Sequence, residues 1–190
     1  MKKTSFFYFT LFVICITAIS CKKEKEAEPA PSVVNTGMFK IGQNYGGGVV
    51  FYVDETGMHG LVVDTTNQIG LKAWCIGVPT TTNATSIALG YGDDNSEMIV
   101  NTSGSGNYAA FECENLVLNG HDDWFLPSKQ ELNLLYTQKA AGMINGLDAD
   151  FYWSSSETSS TGAWSQSFMN GANSSAHKSG NYGVCAVRAF

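Results

Sequence analysis

Histidine and serine side chains are the groups in this chain that could support acid–base or nucleophilic catalysis. The histidines are His59, His121 and His177, and no two share the i, i+4 spacing that places two zinc ligands on one helix face. The serines at 154–156 lack the Gly-x-Ser-x-Gly turn that exposes a nucleophile, although His121 stands beside two aspartates that could orient its ring. We therefore expect neither an enzyme nor a bound metal or cofactor.

Carboxylates occur at two places where a helix start explains them. The run Asp93–Glu97 could ligate Ca²⁺, but its spacing lacks the calcium-loop signature. Asp94 as an N-cap, with Glu97 three residues later, predicts a helix start instead. Ser128 and Glu131 form a capping-box pattern, in which each side chain accepts a hydrogen bond from the other residue's amide. Glu131 is therefore predicted to hold a helix start and not to act in catalysis.

An aromatic residue followed by a polar stretch is the best candidate for ligand recognition. Trp164 precedes residues 170–178, which are rich in Asn and Ser. Aromatic faces stack on sugar rings, while amides and hydroxyls bond the ring edges. The predicted ligand-binding residues are Trp164, Asn170, Asn173, Lys178 and Tyr182. The alternative is a plain hairpin in which Trp164 is half buried as part of the core, where we also expect the rings of Trp124 and Trp153.

Periodic patterns indicate the elements that position these residues. Runs of β-branched and aromatic residues predict a hairpin over 49–53 and 59–64, and further strands over 151–155, 163–169 and 184–190. Apolar spacing predicts a helix over 107–119 that ends at Gly120, and a second helix after Ser128. Their expected buried faces are Ala109, Ala110, Cys113, Leu116 and Val117 in the first, and Leu132, Leu135, Tyr136 and Ala140 in the second. The result is an α+β domain with two main helices, long polar loops and paired N- and C-terminal strands.

The first residues have the layout of an export signal. Two lysines precede an apolar run over 6–19, which is shorter than the about 20 residues that cross a bilayer. Ala18-Ile19-Ser20-Cys21 looks like a bacterial lipobox, so we expect a signal peptide over 1–20 and a lipidated Cys21. The alternative is an ordinary secretory signal cut near Ser20. Residues 21–36, with alternating charges and prolines, predict a flexible tether to the membrane.

The remaining residues, 37–190, are enough for one domain. They carry six Lys and Arg against fourteen Asp and Glu. Nucleic-acid binding draws most of its affinity from contacts between cationic side chains and phosphates. An acidic domain is therefore not expected to bind nucleic acid.

Three strings in the second half resemble one family. They are Asp123-Trp124-Phe125-Leu126-Pro127-Ser128 running into Lys129-Gln130-Glu131-Leu132, then Tyr152-Trp153-Ser154-Ser155-Ser156-Glu157, then Ala186-Val187-Arg188-Ala189-Phe190. Together they resemble the Lcl C-terminal-like domain over residues 45–190. The resemblance implies a bacterial extracellular domain of largely unknown function with a C-type-lectin-like fold. The calcium-dependent sugar motifs of C-type lectins, Glu-Pro-Asn and Trp-Asn-Asp, are absent from the sequence.

The expected export of the domain bears on the state of its cysteines. An exported domain permits a disulfide among Cys75, Cys113 and Cys185. The resemblance favours Cys75 with Cys113, because family members often carry cysteines in these two neighbourhoods, whereas many have Arg where Cys185 stands. Three buried free thiols are the alternative.

We therefore expect a lipoprotein of the cell envelope, anchored in the outer membrane and facing either the periplasm or the cell surface. Its predicted function is non-catalytic binding or adhesion, through recognition of a glycan or a protein. The alternatives are a structural component of envelope assembly and, less favoured, an enzyme built on a C-type-lectin-like scaffold.

Overall fold

The computed structural model describes residues 39–66 and 69–190, which all fall within one unit, Asn35–Phe190. The predicted signal peptide, Cys21 and tether lie outside the described residues. Two sheets and three helices make up the described part, so the prediction of a mixed α and β domain is confirmed. Among these residues no helix has both the length and the apolar character that a membrane crossing requires.

The first sheet joins the two ends of the domain. Its strands are β1 (Asn44–Tyr45), β2 (Gly48–Val53), β3 (Gly60–Val63) and β9 (Val187–Ala189), in the order β1-β2-β3-β9. β2 and β3 form the predicted antiparallel hairpin, and β3 pairs with β9 in the register Val62 to Arg188. The prediction that N- and C-terminal strands pair is therefore confirmed, although the last strand is shorter than 184–190.

The second sheet carries most of the polar hairpin region. Its strands are β4 (Leu71–Lys72), β5 (Phe151–Glu157), β6 (Gly162–Ser167), β7 (Asn173–His177) and β8 (Tyr182–Gly183), in the order β4-β8-β5-β6-β7. β5 and β6 correspond to predicted strands. β7 was not predicted because its sequence, Asn-Ser-Ser-Ala-His, has no β-branched or aromatic residue, and its strand conformation depends on pairing with β6.

The described residues form three helices, α1 (Gly92–Ser103), α2 (Ala109–Glu114) and α3 (Lys129–Ala140). α2 and α3 correspond to the two main predicted helices, and α1 begins near the helix start predicted at Asp94. Asp94 is not the cap of α1, because the helix starts two residues earlier, after Tyr91, and Asp94 lies in its first turn. α2 is shorter than the helix predicted over 107–119. Its chain leaves the helix after Glu114, so Leu116 is still buried but Val117 is 72% exposed.

α3 begins as predicted. The Ser128 side chain accepts a hydrogen bond from the Glu131 amide (3.3 Å), and the Glu131 carboxylate accepts one from the Ser128 amide (2.7 Å). Leu132 and Leu135 are buried, whereas Tyr136 is half-buried and Ala140 is exposed. The carboxylate also accepts a hydrogen bond from the Gly90 amide (2.7 Å), so this buried Glu131 ties the preceding loop to the helix.

The core has two parts, and neighbouring residues of β5 point into different ones. Trp153 packs in a cluster with Trp74 and Trp124, which confirms the predicted core positions of Trp124 and Trp153. Tyr152 packs with Leu132 and other residues of the second cluster. Successive side chains of a strand point to opposite faces, so β5 contributes to both clusters.

Candidate functional site

The N-terminus of α3 meets the β6–β7 hairpin at the proposed recognition surface. Trp164 on β6 is half-buried, and the Lys129 ammonium lies 3.4 Å from the centroid of its ring. This distance is within the range of a cation–π contact, which stabilises by about 0.5–1 kcal/mol at an exposed site. The contact places the first residue of the helix over one face of the indole ring.

A polar depression of about 300 Å³ opens beside this pair. We call it the α3–hairpin groove, and it is lined by Ile87, Lys129, Gln130, Asn133 and Asn173. Helix α3 supplies three of these residues and strand β7 supplies Asn173. The capping box fixes the first turn of α3, and pairing of β7 with β6 fixes the opposite wall.

Each amide side chain in the groove uses only part of its hydrogen-bonding capacity. The Gln130 Oε1 accepts from the Leu89 amide (3.0 Å), and the Asn133 Oδ1 accepts from the Gln166 side chain (2.9 Å). Within the described residues, the amino groups of Gln130 and Asn133 and the carbonyl oxygen of Asn173 form no hydrogen bond. The groove therefore offers two donors, one acceptor and a cation to a polar ligand.

Behind the groove lies a buried acceptor with no partner. The Gln166 side chain is fully buried, and its amino group donates to Asn133 (2.9 Å) and to the Gly171 carbonyl (3.1 Å). Its oxygen forms no hydrogen bond within the described residues. Because Gln166 and Asn133 are joined, a ligand that moves Asn133 also changes the hydrogen bonding of the sheet behind it.

The other predicted ligand residues are not all at this surface. Asn170 is exposed in the β6–β7 turn, where its side-chain oxygen accepts from the Ala172 amide (3.0 Å). Tyr182 is half-buried, and its ring centroid lies 4.6 Å from that of Trp153. The structure therefore brings Trp164 and Asn173 to the same hairpin, with Lys129 as a contact that the sequence interpretation missed.

Lys178 requires a correction, because it lies in the interior and not on the recognition surface. Its ammonium is 2.5 Å from the Glu157 carboxylate and 2.7 Å from the Thr80 carbonyl oxygen, and both side chains of the ion pair are buried. The ammonium also lies 4.4 Å from the centroid of the Trp74 ring. All of these partners are distant in sequence, which is why the polar run around Lys178 gave no sign of burial.

Strand alternation separates Tyr182 from Trp164. Trp153 is paired with Ser165, so these two side chains share one face of the second sheet. Trp164 precedes Ser165 in β6 and points to the opposite face. Tyr182 stacks on Trp153, which places it on the face away from the α3–hairpin groove.

The serines that could have been nucleophiles are used for structure. Ser154 donates to the Trp164 carbonyl (3.0 Å), Ser156 donates to the Ser86 carbonyl (2.7 Å), and the Ser155 hydroxyl accepts from Asn95 (3.3 Å). All three are buried. Among residues 39–66 and 69–190, no group of three His, Cys, Asp or Glu side chains could hold a metal ion.

Cys75, Cys113 and Cys185 are buried and have the chemistry of unreactive thiols. Burial raises the pKa of Cys75 and Cys113, and raises that of Cys185 to about 12. A raised pKa keeps the thiol protonated, and the thiolate is the reactive form. All three are free thiols in the structure, where the sequence interpretation had favoured a bond between Cys75 and Cys113. The pairing of Cys75 with Cys113 stays a prediction.

One ionisable group has an environment that sequence patterns did not reveal. Glu114 is not among the residues predicted for the buried face of its helix, but it is half-buried and its Oε1 is inaccessible and unpaired within the described residues. Burial, with the nearby charges of Asp93 and Glu97, raises the pKa of the Glu114 carboxyl to about 7. Asp93 and Glu97 belong to α1, which packs against α2, and this contact between helices is not a local feature of the sequence.

Comparison with known families gives one match. The family described as Lcl C-terminal domain matches residues 65–188, which is more than half of the chain. The match begins just after β3 and ends within β9, so the pairing of β3 with β9 joins the matched region to the hairpin that precedes it. No curated protein matches the chain significantly.

Proposed function

The chain belongs to the Lcl C-terminal domain family, and from that premise we propose that it is a lipid-anchored, non-catalytic binding module of the cell envelope. Residues 37–190 would form a C-type-lectin-like domain, held at the outer membrane through Cys21. The ligand, a glycan or a protein carrying hydroxyl and carboxylate groups, would bind at the α3–hairpin groove.

The observation that carries this proposal is the meeting of Trp164 and Lys129 beside unsatisfied amides. An indole offers a flat apolar surface, and amide groups at its edge select hydroxyls by hydrogen bonding. Lys129 adds a positive charge at this point of an otherwise acidic domain. A ligand with a carboxylate next to a hydroxylated ring would use all three features.

Two features support the C-type-lectin-like assignment. The N- and C-terminal parts of the domain pair in one sheet, through β3 and β9. A long stretch without helix or strand also runs over residues 73–91, between β4 and α1. Buried groups hold this stretch in place, since the Glu157 carboxylate accepts from the Thr82 and Asn83 amides (3.1 and 3.0 Å).

The non-catalytic assignment rests on the state of the candidate groups. The hydroxyls of the serine run are engaged in buried hydrogen bonds, and burial raises the pKa of the three thiols. Nucleophilic catalysis needs an accessible group beside a base. These residues supply structure, and the exposed polar groups of the groove are left for binding.

A glycan array and a pull-down from envelope extract, both with the full-length protein, test the proposal. Trp164→Ala with Asn173→Ala should lower binding by roughly tenfold or more, because stacking and amide contacts are both lost. Met169→Ala, a change at a 74% exposed side chain that precedes β7, is the matched control and should bind like the wild type.

Unchanged binding by the double variant would remove the groove from the proposal. No binding to any glycan on the array, together with one co-purifying envelope protein, would favour the alternative of a structural component of envelope assembly. Turnover of a bound ligand would contradict the non-catalytic role.

A further inference from the structure

A second depression lies at the β4 side of the five-stranded sheet, where β4, β8 and the start of β5 meet. We call it the Tyr182 groove, and it measures about 410 Å³. It is lined by Leu71, Asp148, Ala149, Asp150, Phe151, Asn181 and Tyr182. Tyr182 is the one residue of the sequence-predicted ligand set that lines it.

Three aromatic rings in successive contact extend from the core to this surface. Trp153 is fully buried, its ring centroid lies 4.6 Å from that of Tyr182, and the Tyr182 centroid lies 5.5 Å from that of Phe151. The Trp153 indole nitrogen donates to the Lys72 carbonyl (2.9 Å), which fixes the inner ring. The outer ring is therefore held on a rigid support, an arrangement that limits the entropy lost on binding.

The outer wall of the groove is apolar and exposed. Phe151 is 39% exposed and Leu71 is 62% exposed. Leu71 lies in β4, an edge strand whose register pairs it with Gly183, the residue after Tyr182. Packing of the core does not use these exposed surfaces, so they are available to a partner.

Two carboxylates at the same groove have no cationic partner within the described chain. Asp148 and Asp150 are exposed, and neither takes part in the ion pairs formed by Lys72, Lys178 and Arg188. Lys72, in the neighbouring strand β4, is directed instead to the Asn107 and Glu112 side chains (2.5 and 3.2 Å).

We propose that the Tyr182 groove binds the side chain of a lysine presented by a partner protein. An ammonium is attracted both by carboxylates and by the faces of aromatic rings. The aliphatic stem of lysine packs on apolar surface while its charged head stays at the polar edge. Leu71, Ala149 and Phe151 supply the apolar surface, and Asp148 and Asp150 supply the negative edge.

The composition of the wall favours a lysine over an amino sugar. A sugar ring needs hydrogen-bond donors as well as acceptors around its edge, and among the lining side chains Asn181 and Tyr182 alone carry donors. The excess of carboxylates in the domain also favours encounter with cationic partners. This inference goes beyond the proposed function, because it concerns another edge of the sheet, another ligand class and a different set of residues.

Titration of the ¹⁵N-labelled full-length protein with a blocked Gly-Gly-Lys-Gly-Gly peptide tests the inference by NMR. We expect amide shifts that concentrate at Phe151, Asn181 and Tyr182. Asp148→Asn with Asp150→Asn should weaken binding by roughly tenfold, because both charge contacts are lost. Phe151→Ala should weaken binding severalfold, as the outer ring face is removed.

The same peptide with an Nε-acetylated lysine is the matched control and should not bind, since it keeps the stem and loses the charge. Equal binding of the acetylated peptide, unchanged affinity of the double Asn variant, or no binding by any peptide would overturn the inference. Tighter binding of glucosamine than of the lysine peptide would overturn the choice of ligand. Trp164→Ala should leave peptide binding intact, so failure of the α3–hairpin groove and failure of the Tyr182 groove are distinguishable.

Discussion

At the scale of single residues, Glu114 is a carboxyl group placed among other carboxyls. Its unpaired oxygen is inaccessible, and Asp93 and Glu97 add negative potential. The folded chain therefore holds the Glu114 proton more tightly than the unfolded chain does, with a pKa near 7 against an ordinary value of 4.5. Stability from this group is complete below pH 4.5 and is lost as pH rises through about 7.

We predict that Glu114→Gln makes the protein more stable above neutrality. The amide has the same shape and no charge to desolvate. After allowance for solvent screening, the free energy of unfolding at pH 8.5 should rise by about 1–2 kcal/mol, with little change at pH 4.5. Urea unfolding at the two pH values measures the difference. Glu55→Gln, at an exposed turn position, is the control, and an equal gain at both pH values for Glu114→Gln would contradict the assignment.

Single residues also show which parts of the candidate site could be predicted from the sequence. Trp164 and Asn173 were found from residue type, because an aromatic beside polar residues is a local signal. Lys129 was read only as a helix-start residue, and its contact with Trp164 joins positions 35 apart in the sequence. Contacts of this kind depend on packing of α3 against the hairpin, which no local pattern specifies.

At the scale of elements, the Glu157–Lys178 pair joins three segments. Glu157 ends β5, Lys178 follows β7, and the carboxylate also accepts hydrogen bonds from the Thr82 and Asn83 amides. Lys178 in turn donates to the Thr80 carbonyl oxygen. The pair thus fixes the irregular stretch before α1 onto the second sheet.

We predict that Lys178→Met destabilises the protein by about 3–5 kcal/mol, because it leaves the Glu157 carboxylate buried without its counter-ion. Lys178→Met with Glu157→Gln should recover a large part of the loss, since the uncompensated charge is gone. Urea unfolding of both variants measures the effect. Lys40→Met, at an exposed lysine, is the control. A loss below about 1 kcal/mol would show that the ion pair is not the main attachment.

Elements with local signals were predicted well. The β2–β3 hairpin has two continuous runs of apolar residues joined by a turn, and α3 has a capping box. Each of these signals lies within a short stretch of sequence. For α1 the sequence patterns predicted a start and no extent, because its buried face includes Asn95 and Ser96. These polar side chains are buried through hydrogen bonds to distant carbonyls, which an apolar pattern does not detect.

At the scale of the whole molecule, the two grooves lie toward opposite edges of one sheet, at β7 and at β4, and have opposite chemistry. The α3–hairpin groove offers a cation and amides, and the Tyr182 groove offers carboxylates and aromatic rings. A module with both could hold two partners at once. Joint attachment of this kind raises the effective concentration of each partner without any new contact.

The proposed location of the whole molecule at the outer membrane depends on the Cys21 thiol. We predict that the wild-type protein incorporates labelled palmitate and is recovered with the outer-membrane fraction, and that Cys21→Ser abolishes both. More than one acyl chain is needed for a stable anchor, each buried methylene contributing about 0.8 kcal/mol, so loss of acylation should release the domain completely. Cys15→Ser, within the predicted signal peptide, is the matched control and should be labelled like the wild type. Labelling that persists in Cys21→Ser, or a wild-type protein found in the periplasmic fraction, would contradict the tethered binding role.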